Sequence, residues 1–156
     1  MDKLKELYSL GGLTAIVTGA SSGLGLNQAI LLAECGAKVY ALSRSGKIKI
    51  DYQGKIPSNI VFKALDVTNE NDIKTVFDEI GSKEGIDILV NNAGITKKER
   101  AENFLTEDWE AIHKVNVTGV FNCCKHAFKY LKESKHIGRI INISSMASYL
   151  GFSEVT

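Results

Sequence analysis

The glycines at 19, 23 and 25 are the residues whose type and spacing point most directly to chemistry. They fall in the run Thr18-Gly19-Ala20-Ser21-Ser22-Gly23-Leu24-Gly25, between a β-branched apolar segment and an amphipathic one. Gly19 permits a tight turn, while Gly23 and Gly25 let backbone approach a ligand and let a helix pack closely on a strand. Ser21, Ser22 and Leu24 complete the loop. A helix that begins here presents free N–H groups and a partial positive charge, which suits a pyrophosphate. The spacing is G-x-x-x-G-x-G, and three glycines by themselves would serve any tight turn. Their place after the first strand of an α/β chain is what favours phosphate binding.

That place depends on the order of elements. Residues 13–18 (LTAIVT) read as a short buried parallel strand. Residues 24–35 read as a helix with Ile30, Leu31 and Ala33 on its inner side, stopped by Gly36. Residues 38–42 give a second strand and 60–64 a third, and between them 43–59 carry no convincing helix. A helix over 69–80 places Ile73, Val76, Phe77 and Ile80 at helical spacing. Residues 86–90 form a fourth strand and 139–143 a fifth. Between these, Thr106 is expected to cap a helix from Glu107, with Trp109 and Ile112 facing inward, running on to Leu131 with a break near Gly119. Strands alternating with helices imply right-handed crossovers and a parallel sheet covered on both faces. Ligands on such sheets bind beyond the carboxyl ends of the strands. Gly19, Ser43, Asp66, Asn91 and Ser144 all follow strands.

The chain's 156 residues are one domain's worth, enough to bury roughly two-thirds of the unfolded surface. A net charge of +1 gives no electrostatic case for nucleic acid or an anionic membrane. The only tight basic group is Lys97, Lys98 and Arg100, which reads as a solvated loop in the first instance. Residues 1–10 lack the apolar core of a signal peptide, and the longest apolar run, 29–33, is far too short to span a bilayer. Cys35, Cys123 and Cys124 form no CxxC and are odd in number, which favours reduced, buried thiols in a cytoplasmic protein. His113, His126 and His136 lack paired ligand spacing, so no metal is expected.

Four motifs in order on these elements resemble the short-chain dehydrogenase/reductase family. They are 18–25, Asp66-Val67, Asn91-Asn92-Ala93-Gly94, and the INISS run at 141–145. The resemblance covers nearly the whole chain. It implies a single dinucleotide-binding domain over 1–156, with a Rossmann-type doubly wound parallel sheet in the order 3-2-1-4-5. It also implies that Asp66 and Val67 lie near the adenine, and that Asn92, Ala93 and Gly94 line the cofactor channel. The cofactor's second phosphate is read at the end of the second strand. There, the position usually acidic in NAD enzymes is Ser43, followed by Arg44, whose guanidinium can meet a 2′-phosphate. NADP is therefore expected over NAD.

In the family a serine orients the carbonyl and a tyrosine exchanges the proton while nicotinamide exchanges the hydride. A lysine lowers the tyrosine pKa, which takes about 4 kcal/mol to move from near 10 towards 7. Ser145 matches the serine, and Asn116 matches the asparagine that bends its helix and holds a relay water. The tyrosine and lysine project just past Thr156. Tyr149 sits too close to Ser145 and has no lysine four residues on. Either the sequence is the N-terminal part of a longer protein or it is a truncated product. The former is expected, because the fifth strand would otherwise be a naked apolar edge.

Within the family, Ser145-Met146-Ala147-Ser148 followed by Gly151 resembles the gluconate 5-dehydrogenase and deoxyketogluconate dehydrogenase branch. Arg100 and its neighbours also resemble that branch and are placed to meet a sugar-acid carboxylate. This implies a secondary alcohol–ketone interconversion on a sugar acid or polyol, with a 3-oxoacyl carrier-protein reductase as the alternative. A non-catalytic dinucleotide-binding protein is the alternative of another class, and Ser145 and Asn116 argue against it. The resemblance further implies a homotetramer or homodimer built partly through the helix that contains Asn116.

Overall fold

In the computed structural model the described residues are 7–49 and 52–152. Five parallel strands form one sheet: β1 (Thr14–Thr18), β2 (Lys38–Ser43), β3 (Ile60–Ala64), β4 (Ile88–Asn91) and β5 (Arg139–Asn142). Their order is β3-β2-β1-β4-β5, as expected. Register is set by Ile16 opposite Tyr40 on one side and Leu89 on the other. Among the described residues, four helices flank the sheet: α1 (Gly23–Glu34), α2 (Glu70–Glu84), α3 (Thr106–His113) and α4 (Val120–Glu133).

The period-two alternation of the strands splits the core into two layers. Ala15, Val17, Val39, Ala41 and Val90 pack with Leu26, Ala29, Ile30 and Ala33 of α1. Ile16, Tyr40, Leu42 and Leu89 pack with Ile73, Val76, Phe77 and Ile80 of α2 and with Cys123, Ala127 and Leu131 of α4. Both faces of β1 are therefore dry, which is why its sequence is apolar throughout.

Several details depart from expectation. Leu31 is 61% exposed, because Leu26, Ile30 and Ala33 already fill the inner stripe of α1 and position 31 turns to solvent. Trp109 is also exposed, stacking on His113 with ring centroids 4.2 Å apart. Thr106 is the first residue of α3, and its predecessor Leu105 stands at the cap without a side-chain bond. The expected break near Gly119 is a π-helical turn over Lys114–Gly119 that joins α3 to α4. Helix α2 extends to Glu84, four residues beyond expectation, and Asn69 caps its start by accepting from Asn71 N and Asp72 N. Of the three free cysteines only Cys123 is buried, and burial pushes its thiol up to about 12.

Asp78 ties α2 to α4. Its carboxylate meets Lys129 Nζ at 2.9 Å and accepts from Tyr130 Oη at 3.0 Å, both on α4, and from Lys74 at 3.1 Å. These bonds, that of Lys129 foremost, hold its carboxyl below the ordinary 3.8, at about 2. A carboxyl depressed in the folded state contributes stability above its unfolded pKa and loses it as pH falls through the folded value. Asp78→Asn is expected to be less stable than wild type at pH 6, with the difference closing between pH 3.8 and 2. Urea unfolding at a series of pH values checks this, and a gap that persists at pH 2 refutes it.

Candidate functional site

The sheet brings the carboxyl ends of β1, β2, β3 and β4 to one edge, where a cavity of about 550 Å³ opens. Its walls include Gly19, Ser21, Ser22, Ser43, Arg44, Asp66, Val67, Ala93 and Gly94 from the sequence expectations. Ser45, Lys49, Thr68, Ile95, Lys114 and Val115 line it as well and were not anticipated. Gly23, Leu24, Gly25 and Asn92 are not part of the wall, and two of them act from behind it.

Gly25 packs against Asn92, where an added Cβ would lie 2.4 Å from Nδ2 and 2.6 Å from the Gly19 carbonyl oxygen. Asn92 Nδ2 in turn donates to the carbonyls of Thr18 at 3.0 Å and Gly19 at 3.4 Å. Thr18 Oγ1 accepts from the backbone amides of Asn92 and Ala93, each at 3.1 Å. The glycine loop after β1 and the loop after β4 are thus one hydrogen-bonded unit. Thr18 was quoted in the sequence motif, but nothing in a strand-final threonine announces this tie.

The wall fits an anionic dinucleotide. Ser22 stands at the start of α1 with no side-chain cap bond, which leaves the first amides of the helix to a ligand. A Cβ at Gly23 would meet nothing within 4 Å, so the backbone there is open to close approach. Among the described residues, no carboxylate forms an ion pair with Arg44, Lys49 or Lys114. Asp66 is the acidic counterpart. It accepts from Thr68 N at 2.9 Å and Thr68 Oγ1 at 2.8 Å through a single oxygen, Oδ1. The Thr68 amide, then its hydroxyl and the charges of Arg44 and Lys114, hold this carboxyl below the usual range against partial burial. It is ionised at neutral pH, and Oδ2 is left to accept from a ligand.

Asn116 lies in the π-helical turn, where its side chain clamps the loop after β4. Oδ1 accepts from Ile95 N and Nδ2 donates to Ile95 O, both at 2.9 Å. Both ends of the amide are therefore engaged in holding backbone. Ser145 follows β5 on the same edge of the sheet, and its Oγ accepts from Ala147 N at 3.2 Å. With a lone pair used there, its proton is left to donate. Ser144 pairs instead with Ser148, at 3.1 Å between hydroxyl oxygens. Neither Ser145 nor Asn116 lines the cavity.

Arg100 meets Glu102 at 2.8 Å, and Lys97 pairs with Asp108 of α3, so two charges of the expected basic group are met by nearby carboxylates. Among the described residues, no group of three or more His, Cys, Asp or Glu could hold a metal ion, and no helix is long and apolar enough to cross a membrane.

Comparison with known proteins agrees with this geometry. The short chain dehydrogenase family model matches residues 13–156. The 2-dehydro-3-deoxy-D-gluconate 5-dehydrogenase of Bacillus subtilis is 35% identical, with 97% of this chain and 60% of that protein covered. A 3-oxoacyl-(acyl-carrier-protein) reductase of Vibrio cholerae is 42% identical, with 92% and 59% covered. Among solved structures, a gluconate 5-dehydrogenase from Burkholderia cenocepacia in complex with NADP and tartrate superposes with a TM-score of 0.82. The two are 29% identical, over 97% of this chain and 61% of that one. The chain thus spans about 60% of the length of the relatives it matches. With a parallel 3-2-1-4-5 sheet, a glycine loop bonded to the Asn92-Ala93 segment and a family match over nearly all its residues, the chain belongs to the short-chain dehydrogenase family.

Proposed function

We propose that residues 1–156 are the dinucleotide-binding domain of an NADP-dependent oxidoreductase that interconverts a secondary alcohol and a ketone. The observation that carries this reading is the cavity lined jointly by the glycine loop, by Arg44 and by the ionised Asp66. When bound, the nicotinamide cofactor supplies or takes up the hydride. The loop amides at the start of α1 hold its diphosphate, Asp66 accepts from the adenine amino group with Val67 beside it, and Arg44 with Ser43 meets the 2′-phosphate. Ala93 and Gly94 carry the rest of the channel, and Asn92 ties them to the glycine loop from behind. Ser145 donates its free hydroxyl proton to the substrate oxygen. Asn116 acts as a positioning residue, since both ends of its side-chain amide are engaged in clamping Ile95. Tyr149 is not assigned the proton transfer, because it lacks a lysine four residues on.

The proposed substrate is a sugar acid or polyol. Similarity to the Bacillus dehydrogenase and the Burkholderia structure supports it. The higher identity to the Vibrio reductase keeps a 3-oxoacyl thioester as the second reading. A non-catalytic dinucleotide-binding protein would need neither Ser145 nor Asn116. Helix α4 and the turn before it expose Val117, Phe121 and Phe128 at helical spacing, which supports a homotetramer or homodimer through that face. Three free thiols suit a reducing, cytoplasmic setting.

Fluorescence titration with NADPH and NADH, followed by assay of the full-length protein on gluconate-type acids and on acetoacetyl thioesters, tests the reading. Failure of both nucleotides to bind at millimolar concentration overturns it. Arg44→Ala is expected to lower NADPH affinity about tenfold and to leave NADH within about twofold, the loss of one charge-assisted contact. An unchanged ratio removes Arg44 from the discrimination.

A further inference from the structure

The crossover after β2 has no helical periodicity, yet it is held in a defined path. Gly46 N donates to Ser43 O at 3.0 Å, closing a turn, and Ser45 Oγ donates to Lys47 O at 3.0 Å. Gly46 has φ of 64° and lies against β3, where an added Cβ would stand 2.8 Å from Ala64 N. Two residues after Lys47, the backbone amide of Lys49 donates to Ser21 O at 3.0 Å. The strap thereby folds back onto the glycine loop. Its two ends bring Arg44 and Lys49 to one cavity wall, with Ser43 and Ser45 also on it.

Neither cation forms a salt bridge with a carboxylate among the described residues, although Arg44 stands near enough to Asp66 for its charge to favour the ionised carboxylate. Asp66 offsets part of the charge of Arg44, but two cations on one wall against one carboxylate still leave a net positive charge that a dianion meets. A phosphate monoester carries close to two negative charges at neutral pH and three acceptor oxygens. A ribose hydroxyl in the same place offers no charge.

We propose that Lys49 is a second specificity-determining residue, seating the 2′-phosphate of the cofactor opposite Arg44, and that the Lys49 N–Ser21 O bond sets its distance from the diphosphate loop. The assignment rests on the dinucleotide reading above. It differs from it in making discrimination a property of the crossover as well as of the residues that end β2. Because the tie to Ser21 uses the Lys49 backbone, a side-chain substitution leaves the strap intact and removes the charge alone.

The test is binding rather than turnover. Wild type, Lys49→Gln, Arg44→Gln and the double variant are titrated by calorimetry with 2′,5′-ADP and with 5′-ADP, two ligands that differ only in the phosphate. Lys49→Gln is expected to weaken 2′,5′-ADP about tenfold, as loss of one charge-assisted contact does, and to leave 5′-ADP within about twofold. The double variant is expected to bind the two ligands nearly equally. The preference of wild type for 2′,5′-ADP is expected to decline with salt more steeply than that of either single variant. If Lys49→Gln leaves the ratio of the two affinities unchanged while wild type prefers 2′,5′-ADP, the assignment of Lys49 is overturned and that of Arg44 stands. If Lys49→Gln weakens both ligands equally, the side chain serves the diphosphate or the fold, and the assignment is again overturned. Wild type binding neither ligand overturns the dinucleotide reading itself, and this assignment with it.

Discussion

Gly19→Ala is expected to lower folding stability by about 3 kcal/mol and to reduce NADPH affinity about a hundredfold, the latter equivalent to about 2.7 kcal/mol. Two separate penalties add at this position. The backbone of Gly19 has φ of 69°, which costs a side-chain-bearing residue about 1–2 kcal/mol. A methyl group would also lie 2.8 Å from Ala93 Cα and 3.0 Å from Ala93 N, both backbone atoms that no rotamer change can move. Relief requires the loop after β1 to part from the loop after β4. These are the two walls between which the dinucleotide is proposed to lie, so binding falls along with stability. Gly12→Ala supplies the control. Gly12 has φ of 83° but open space around a new Cβ, so it carries the conformational penalty without the clash. Chemical denaturation of both variants separates the two terms. Equal destabilisation would mean that contact with Ala93 contributes nothing.

The same geometry explains what was legible in the sequence. A buried parallel strand must be apolar on both faces, so LTAIVT, KVYAL and IDILV announced β1, β2 and β4 without ambiguity. Helix α2 was equally clear, because Ile73, Val76, Phe77 and Ile80 have only one face to share. Apolar residues were misplaced where the pattern offered more of them than the inner stripe could hold. Leu31 is exposed for that reason, since hydrophobicity alone does not say which of two adjacent apolar residues wins the core, whereas Trp109 is exposed because α3 buries none of its residues. The π-helical turn was anticipated as a break near Gly119 and, through the family resemblance, as a bend at Asn116. The clamp of Asn116 on Ile95 within that turn links residues 21 positions apart and has no local signature. The crossover was least legible. Its path is fixed by Gly46 against Ala64 and by one amide of Lys49 on Ser21, contacts between segments that no periodicity connects. Arg44 was found because its position after β2 is special in this topology. Lys49 reaches the same wall from five residues further on and was not.

Thr18→Val tests the hinge on which this edge of the sheet turns. Valine matches threonine in shape and suits a strand, so any large effect must come from the hydroxyl. In wild type Oγ1 accepts from two amides, Asn92 N and Ala93 N, and donates to Val90 O at 3.4 Å. Thr18 is 1% exposed, so no water replaces the lost acceptor from the strand side. Two amides left without a partner are expected to cost about 2–3 kcal/mol, more than one lost hydrogen bond and less than two fully orphaned groups, since Asn92 and Ala93 are only partly buried. Thr18→Ser retains the oxygen and loses a methyl group, a cost of about 1 kcal/mol. The order wild type, serine, valine in urea midpoint is therefore the expected result, and serine falling below valine would show that packing, not the hydroxyl, matters at this position. Cofactor binding gives an independent readout. Without the hydroxyl, the Asn92-Ala93-Gly94 loop loses two of the four bonds that hold it to Thr18 and Gly19 and keeps those of Asn92 Nδ2. NADPH affinity is then expected to fall about tenfold in the valine variant, which is about 1.4 kcal/mol, and to stay near wild type in the serine variant. A valine variant that is destabilised but binds NADPH like wild type would separate the two loops functionally and confine Thr18 to folding.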